Sequence, residues 1–449
     1  MPRERPYKAL LQLAAPLYVA QMAMVASGLI DTLMAGHLST LDLAALGVAS
    51  SLQTTITMVV ASLLMALPVL IAHHAGAGDM PGIGREIAQG LSWVVLLSLL
   101  AISLLWHPAT WIGLAHLPAR LNGKVIAYLH ASAWGVPATL LLRLFMGLFS
   151  GLSRPRPVML VNLIYLALKP AFNLLCMRGL GLGAAGCALA AALDAWLLCA
   201  GALFWLLRQS DLAPLWRSWR PALPDAAGMK DILHIGLPIA LTFIADLTAF
   251  TLMALLIARL GPIAAAAHQI AANLVVLAYM WPMAVGTAST LLIGQALGSA
   301  DAHAARRYAL QALRLALFCA LPVSLGLALL PTRIAAFYSP DPQVQALASR
   351  LIMAVALYHL ADAVQVVAVS ALRGYQHTII PMLIYTLGLW GLGLGGGYML
   401  GLSDRLLPHL GAIGFWIAAV FSLGSVAISM LYELRRISRR AQARSSELS

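Results

Sequence analysis

The sequence predicts an all-α polytopic membrane protein, with about twelve transmembrane helices in two pseudo-symmetric six-helix lobes related as a parallel repeat. Three observations support this prediction: the amino-acid composition, the spacing of apolar runs and an internal repeat. The chain has 449 residues, of which 61% are apolar and only 10% charged. Soluble domains carry about 25% charged residues, so a water-soluble globule is excluded. Disorder is excluded as well, because disordered chains are poor in apolar residues.

Long apolar runs recur along the whole chain. A helix needs about 20 apolar residues to cross a hydrocarbon layer about 30 Å thick, because each residue rises about 1.5 Å. Runs of this length predict membrane spans at 9–36, 43–72, 87–106, 124–150, 157–178, 184–207, 230–259, 263–294, 304–330, 345–372, 378–401 and 409–433.

The basic residues predict the orientation of these spans. The formal net charge is +12, but lysines and arginines are concentrated in the two terminal segments and in alternate connectors rather than in one patch. Cytoplasmic connectors carry an excess of Lys and Arg, so both termini are expected to be cytoplasmic. The same distribution argues against nucleic acid as a partner.

A polar segment near the middle of the chain separates two similar halves. We predict an N-lobe at 1–207, a cytoplasmic interfacial linker at 208–229, a C-lobe at 230–434 and a basic cytoplasmic tail at 435–449. A shift of 222 residues aligns Pro16 with Pro238 and Asp79 with Asp301. Six helices per lobe is an even number, so both lobes enter the membrane from the same side, which gives a parallel repeat.

Four acidic residues fall well inside predicted spans: Asp31, Asp194, Asp246 and Asp362. Each central Asp costs about 2.5–3.5 kcal/mol on insertion scales, so such residues normally face a cavity or a partner. The functional interpretation is an ion or substrate route. A structural hydrogen bond between helices remains the alternative for any one of them.

In the C-lobe, Asp246, Tyr279 and Asp362 lie at similar depths when residues are counted from the start of each span. Tyr358 lies four residues before Asp362 and so shares its helical face. Two carboxylates with two phenolic hydroxyls suit a monovalent cation, or protons that exchange against a cationic solute.

In the N-lobe, Lys169 and Asn173 lie four residues apart on one face of the fifth span. An intramembrane Lys requires a counter-charge, which either Asp31 or Asp194 can supply. The sequence leaves two interpretations open, a protonation-sensitive network and a static buried ion pair.

Motifs typical of enzymes or cofactor-binding proteins either do not occur or lack the structural context that they require. Gly181, Gly183 and Gly186 form a lone G-x-G-x-x-G pattern without the strand–turn–helix unit that binds dinucleotides. No nucleophile triad, zinc motif or phosphate loop appears. We therefore expect no catalytic residues, no bound metal and no cofactor, and the chain is not predicted to be an enzyme. The glycines from Gly391 to Gly397 favour close helix packing.

Several longer motifs resemble the multidrug and toxic compound extrusion (MATE) family, and its NorM-like branch in particular. They are IDTLMAGHLSTLDLAALGVASS (30–51), LLMALP (63–68), GLPIALTFIADLTAF (236–250), AAAAHQIAAN (264–273), YMWPMAVGTAS (279–289) and DAVQVVAVSALRGY (362–375). The resemblance implies a multidrug efflux antiporter that exports amphipathic, mostly cationic drugs or dyes by alternating access, coupled to inward Na⁺ or H⁺ flow. It also implies a monomer in the lipid bilayer of the cell inner membrane. A flippase for lipid-linked precursors remains the alternative.

The resemblance also implies roles for particular residues. Asp31 falls on the family's N-lobe acid and Asn173 on one of its polar partners. Asp246 falls on an acid that is usually Glu, Tyr279 on an aromatic of the cation site, and Tyr358 with Asp362 on the tenth-helix pair. Two departures are Lys169, which replaces a neutral amide, and Met24, which replaces a Gln.

Overall fold

A computed structural model describes residues 6–108, 119–209, 212, 225–403 and 410–447. All regular secondary structure within these ranges is helical. Most of the predicted linker 208–229, with its Trp216, Arg217, Trp219 and Arg220, lies outside the described residues.

Eight helices are described in the first half of the chain. They are α1 (Pro6–Gly36), α2 (Thr40–Ser62), α3 (Ala66–Ala77), α4 (Met80–Trp106), α5 (Ala119–Ala133), α6 (Val136–Gly151), α7 (Pro155–Asn173) and α8 (Ala184–Leu207). A 3₁₀ turn at Leu63–Met65 joins α2 to α3, so that the two form one apolar span. A π-helical turn at Leu174–Gly179 extends α7.

Eight helices are also described in the second half. They are α9 (Ala226–Ala258), α10 (Pro262–Gly298), α11 (Ala302–Leu329), α12 (Pro331–Tyr338), α13 (Pro342–Gly374), α14 (Ile379–Leu387), α15 (Gly396–Gly401) and α16 (Ala412–Glu447). A π-helical segment at Gly388–Gly395 joins α14 to α15, and these three pieces form one span.

The number of spans matches the prediction. Among the described residues, 11 helices are long and apolar enough to cross a membrane, or 12 if the bent pair α5 and α6 counts as one span. This pair, which meets at an angle of 48°, occupies the predicted span 124–150. The prediction of about twelve transmembrane helices is therefore confirmed.

The last helix extends beyond the predicted end of the C-lobe. Residues 435–447, predicted as a tail, continue α16 without a break. This stretch contains no Pro or Gly and is rich in Arg, which is a good helix former.

The chain divides into two compact units, and the divisions fall inside helices. One unit is Val19–Ala240, and the other combines Met1–Tyr18 with Leu241–Ser449. The boundaries in α1 and α9 lie two residues after Pro16 and Pro238, respectively, where a backbone hydrogen bond of the helix is missing. These units differ from the predicted lobes, because Leu10, Leu13 and Ala14 belong to the core of the second unit.

The repeat is visible in the turns that precede α4 and α11. Asp79 caps α4 by accepting a hydrogen bond from the Gly82 amide (2.9 Å), and Asp301 caps α11 in the same way from Ala304 (2.7 Å). The Gly82 amide, together with the His74 ring, holds the pKa of the Asp79 carboxyl below its ordinary value. The aligned aspartates therefore mark the same helix start in each half.

Glycines allow close contact between α15 and α16. A Cβ at Gly397 would lie 2.6 Å from the Phe415 ring, and one at Gly414 would lie 2.7 Å from the backbone of Leu400. The close packing predicted for the glycine-rich segment is confirmed at Gly397.

Candidate functional site

In the unit Val19–Ala240, an ion pair between a buried Lys and a half-buried Asp joins α1 to α7. The Lys169 ammonium lies 3.1 Å from Asp31 Oδ2, and Asn173 Nδ2 donates a hydrogen bond to Asp31 Oδ1 at 2.6 Å. The side chain of Lys169 is 1% exposed and Asn173 is fully buried. Of the two acids that the sequence offered as a partner, Lys169 pairs with Asp31.

Two further groups complete this N-half cluster. Lys169 Nζ also donates to the Tyr165 hydroxyl at 3.2 Å. Asp194 on α8 is fully buried, and neither of its carboxylate oxygens has a hydrogen-bond partner among the described residues. The charges of Lys169 and Asp31 act on the Asp194 carboxyl. The cluster thus contains one neutralised acid, Asp31, and one acid without a direct partner, Asp194.

The local backbone of α7 positions the N-half cluster. Pro170 lies inside the helix between Lys169 and Asn173, and the π-helical turn begins immediately after Asn173. Pro has no amide donor, and π-helical turns occur frequently at functional sites. The irregular end of α7 thus lies beside the residues that reach Asp31.

In the other unit, the predicted C-lobe residues lie on α9, α10 and α13. Asp362 and Tyr358 are 6% and 4% exposed, and Asp246 is half-buried. The charge of Asp246 acts on Asp362, and both charges act on Tyr279 and Tyr358. The structure therefore groups Asp246, Tyr279, Tyr358 and Asp362 in one electrostatically connected C-half cluster.

Aromatic residues on α14, its π-helical extension and α16 hold this cluster in place. The Tyr385 hydroxyl donates a hydrogen bond to Asp246 Oδ1 at 2.6 Å. The Trp390 indole donates to the backbone oxygen of Ala245 at 3.1 Å. The Tyr358 ring packs edge-on against the fully buried Trp416, with centroids 5.9 Å apart. The carboxylate of Asp246 is thus oriented by a neighbouring helix.

Tyr385 is the main residue that the sequence analysis missed. It lies inside the predicted span 378–401, so its hydroxyl was visible in the sequence as a polar group within an apolar run. Its depth and its partner depend on how α14 packs, and spacing within one helix does not contain that information.

The two clusters differ in the direct ion pairing of their acids. Asp31 is paired with Lys169, whereas neither Asp246 nor Asp362 forms an ion pair with a basic residue in the described part of the chain. The described ranges also hold no group of three or more His, Cys, Asp or Glu arranged to bind a metal ion. Oxygens of Asp246, Asp362 and the adjacent tyrosines are the candidate ligands for a monovalent cation.

A known family model matches the chain twice, in agreement with the internal repeat. The MatE family model matches residues 16–175 and again residues 238–399, and the two ranges begin 222 residues apart. Fold and site together define a polytopic membrane protein built from a repeated bundle with intramembrane acids. The chain belongs to the MatE family, as its motifs predicted.

Similar proteins match along almost the whole chain. Multidrug resistance protein MdtK of Edwardsiella ictaluri is 34% identical over 444 residues, which cover 98% of this chain and 97% of that protein. Probable multidrug resistance protein NorM of Chromobacterium violaceum is 36% identical over 439 residues, covering 95% and 93%.

Solved structures share the fold at lower sequence identity. A MATE crystal structure described as being in the bent conformation has a TM-score of 0.90 at 19% identity and covers 99% of this chain and 98% of that one. An outward-facing multidrug resistance MATE family transporter has a TM-score of 0.87 at 19% identity, and 98% of each chain is covered.

Proposed function

We propose that this protein is a cation-coupled multidrug efflux antiporter that exports amphipathic, mostly cationic compounds by alternating access. The names of the relatives support the substrate class. Solved MATE structures described as bent, straight and outward-facing support alternating access, because they are different conformations of one fold. The proposal places the protein in the cell inner membrane as a monomer with both termini cytoplasmic.

The observation that carries the proposal is the pair Asp246 and Asp362, two acids without a basic ion-pair partner in the described part of the chain. An intramembrane carboxylate is costly unless a charge or a proton neutralises it. A mobile Na⁺ or H⁺ supplies that neutralisation here. In the N-half cluster, Lys169 already supplies a fixed positive charge to Asp31.

Coupling follows if the cation and the drug favour different conformations. A ligand shifts a conformational equilibrium only by its differential affinity for the two states. Cation binding at Asp246 and Asp362 favours the outward-open state, which releases drug, and drug binding favours cation release. Each charge that moves down 100 mV supplies about 2.3 kcal/mol, which corresponds to roughly fiftyfold accumulation.

Asp362→Asn tests the proposal, with Asp341→Asn as a matched control on the same helix. Asp341 is the exposed N-cap of α13, and Asn caps a helix as well as Asp does. Each purified variant is reconstituted in proteoliposomes, and ethidium transport is measured under an imposed Na⁺ gradient and, separately, under a pH gradient. We expect Asp362→Asn to abolish gradient-driven transport and Asp341→Asn to retain it.

The gradient that drives the wild type identifies the coupling cation. Normal dye transport by a folded Asp362→Asn protein would refute the site assignment. Scrambling of a lipid-linked precursor without any ethidium transport would instead favour the flippase alternative.

A further inference from the structure

The cytoplasmic extension of α16 carries arginines on the side that faces away from the protein. Arg435, Arg436, Arg439, Arg440 and Arg444 are all exposed. Leu434 and Ser438, which alternate with them, are buried against the body of the unit. The extension is therefore amphipathic, with a buried side and an arginine side.

The arginine side continues the lipid-facing side of the same helix. Phe421, Ile428 and Tyr432 are 72%, 71% and 71% exposed and are spaced seven and four residues apart. Arg435 and Arg439 follow at further steps of three and four residues, so these five side chains lie along one face. Arg436, Arg440 and Arg444 form a neighbouring row at steps of four.

The length of α16 places these arginines at headgroup depth. The helix has 36 residues and is about 54 Å long, so it extends well beyond a hydrocarbon core about 30 Å thick. Tyr prefers the membrane–water interface. If Tyr432 marks that interface, Arg435 lies about 5 Å and Arg439 about 10 Å beyond it, at about 1.5 Å per residue.

The extension is also held in a fixed orientation. Gln442 accepts a hydrogen bond from Arg306 at 2.7 Å and contacts the His303 ring at 2.9 Å, which ties it to α11. Glu433, the one acidic residue between Tyr432 and Ser446, is buried and held by His377 at 3.1 Å and by Arg436 at 3.2 Å.

The side chains of the other four arginines have no partner among the described residues. The guanidinium groups of Arg435, Arg439, Arg440 and Arg444 make no hydrogen bond or ion pair within those ranges, although the backbone oxygen of Arg435 accepts a hydrogen bond from Ser438. The body of the protein therefore binds the polar and acidic groups of the extension and leaves its positive charge facing outward.

We propose that this arginine face binds the headgroups of anionic phospholipids that lie against the apolar stripe of α16. Acyl chains contact Phe421, Ile428 and Tyr432, and the phosphate of the same lipid lies beside Arg435 and Arg439. Guanidinium groups suit this role, because they bind phosphate oxygens in a bidentate manner. Each basic residue in a cluster beside a membrane helix raises the affinity for acidic lipids about fivefold.

The test uses the full-length protein in nanodiscs of phosphatidylcholine with and without phosphatidylglycerol. The quadruple variant R435Q/R439Q/R440Q/R444Q is compared with the wild type and with R178Q/R259Q/R333Q/R350Q. This control removes the same charge from exposed arginines elsewhere on the protein. Phosphatidylglycerol retained after extraction is counted by native mass spectrometry.

We expect the α16 variant to retain at least about fivefold less phosphatidylglycerol than the wild type. The control variant should retain about as much as the wild type. Equal retention in both variants and the wild type, or an equal loss in both variants, would overturn the proposal. So would displacement of the lipid by inorganic phosphate at the same concentration, because that result would define a site for free anions.

A second measurement keeps the proposal testable if the variant folds poorly. Retention of phosphatidylglycerol by the wild type is measured at rising salt concentration, because exposed charge interactions are screened by ions. Retention should fall as salt rises while zwitterionic lipid stays constant. Salt-independent retention would contradict an electrostatic headgroup site.

Discussion

Lys169 shows how one side chain determines the chemistry of a polar cluster. Its ammonium satisfies Asp31 together with Asn173, so this acid is neutralised without a mobile ion. The buried Asp194 and the C-half acids have no such partner in the described part of the chain. At the residue scale, the two halves of the repeat have therefore become chemically different.

Removing Lys169 should destabilise the protein strongly. Lys169→Met leaves the half-buried Asp31 carboxylate without its cation. Breaking a fully buried pair from one side costs about 3–5 kcal/mol, and the partial exposure of Asp31 places the expected loss at the lower end of that range. The double variant with Asp31→Asn should recover most of this loss. Thermal unfolding of the purified variants measures both effects. Exposed Lys230→Met is the control, and a similar melting temperature for Lys169→Met and this control would contradict the buried pair.

Tyr385→Phe should loosen the C-half cluster in the absence of the coupling cation. The variant removes the hydrogen bond to Asp246, and a hydrogen bond to a charged group contributes about 1.5–3 kcal/mol. The loss of stability should shrink when the coupling cation is saturating, because the cation then neutralises Asp246. Melting temperatures with and without the cation test this. Exposed Tyr398→Phe should change neither value, and a cation-independent loss would argue against a shared site.

The sequence selected most residues of the two clusters, but it left open which of them contact each other across helices. Asp31, Lys169, Asp246 and Asp362 were identified because charged groups inside apolar runs are rare. Depth within the span added Tyr279, and a spacing of four residues on one helix added Asn173 and Tyr358. The choice of Asp31 over Asp194 as the partner of Lys169, and the role of Tyr385, depend on how neighbouring helices pack. Spacing along one helix carries no information on that packing.

At the scale of elements, the repeated turns before α4 and α11 share one backbone conformation but have different residues at the same position. Gly78 has a φ of 71°, and Ala300, which lies 222 residues later, has a φ of 59°. This left-handed conformation costs a residue with a Cβ roughly 1–2 kcal/mol and is free for Gly. The second copy of the turn therefore carries strain that the first copy lacks.

Exchanging the residues of the two turns should shift stability in opposite directions. Ala300→Gly should stabilise the protein and Gly78→Ala should destabilise it, by about 1 kcal/mol each. Melting temperatures of the two purified variants provide the measurement. Shifts of the same sign would contradict the shared left-handed geometry.

Most elements followed from apolar run length, and the exceptions have local causes. The bend between α5 and α6 lies beside Gly135 and Pro137, within the single predicted span 124–150. The extension of α16 was missed because charge ends a hydropathy run without ending a helix. Hydropathy indicates which residues suit the hydrocarbon core, whereas the length of a helix depends on helix propensity and capping.

At the scale of the molecule, the predicted twelve spans would place both termini on the same side of the membrane. Basic connectors predict that this side is cytoplasmic. A fluorescent reporter that folds only in the cytoplasm should therefore fluoresce when fused to either end, and alkaline phosphatase should be inactive there. Active phosphatase at one end alone would indicate an odd number of spans and would contradict the twelve-helix arrangement.

The division of α1 at Tyr18 has a consequence for biosynthesis. Translation proceeds from the N-terminus, and units of a chain generally fold as they emerge. The unit Val19–Ala240 is continuous in sequence, so it is complete before the ribosome has made the other unit. Leu10, Leu13 and Ala14 are synthesised first, but the core that surrounds them is supplied by α9 to α16. The earliest residues of this nascent chain are thus among the last to reach their native neighbours.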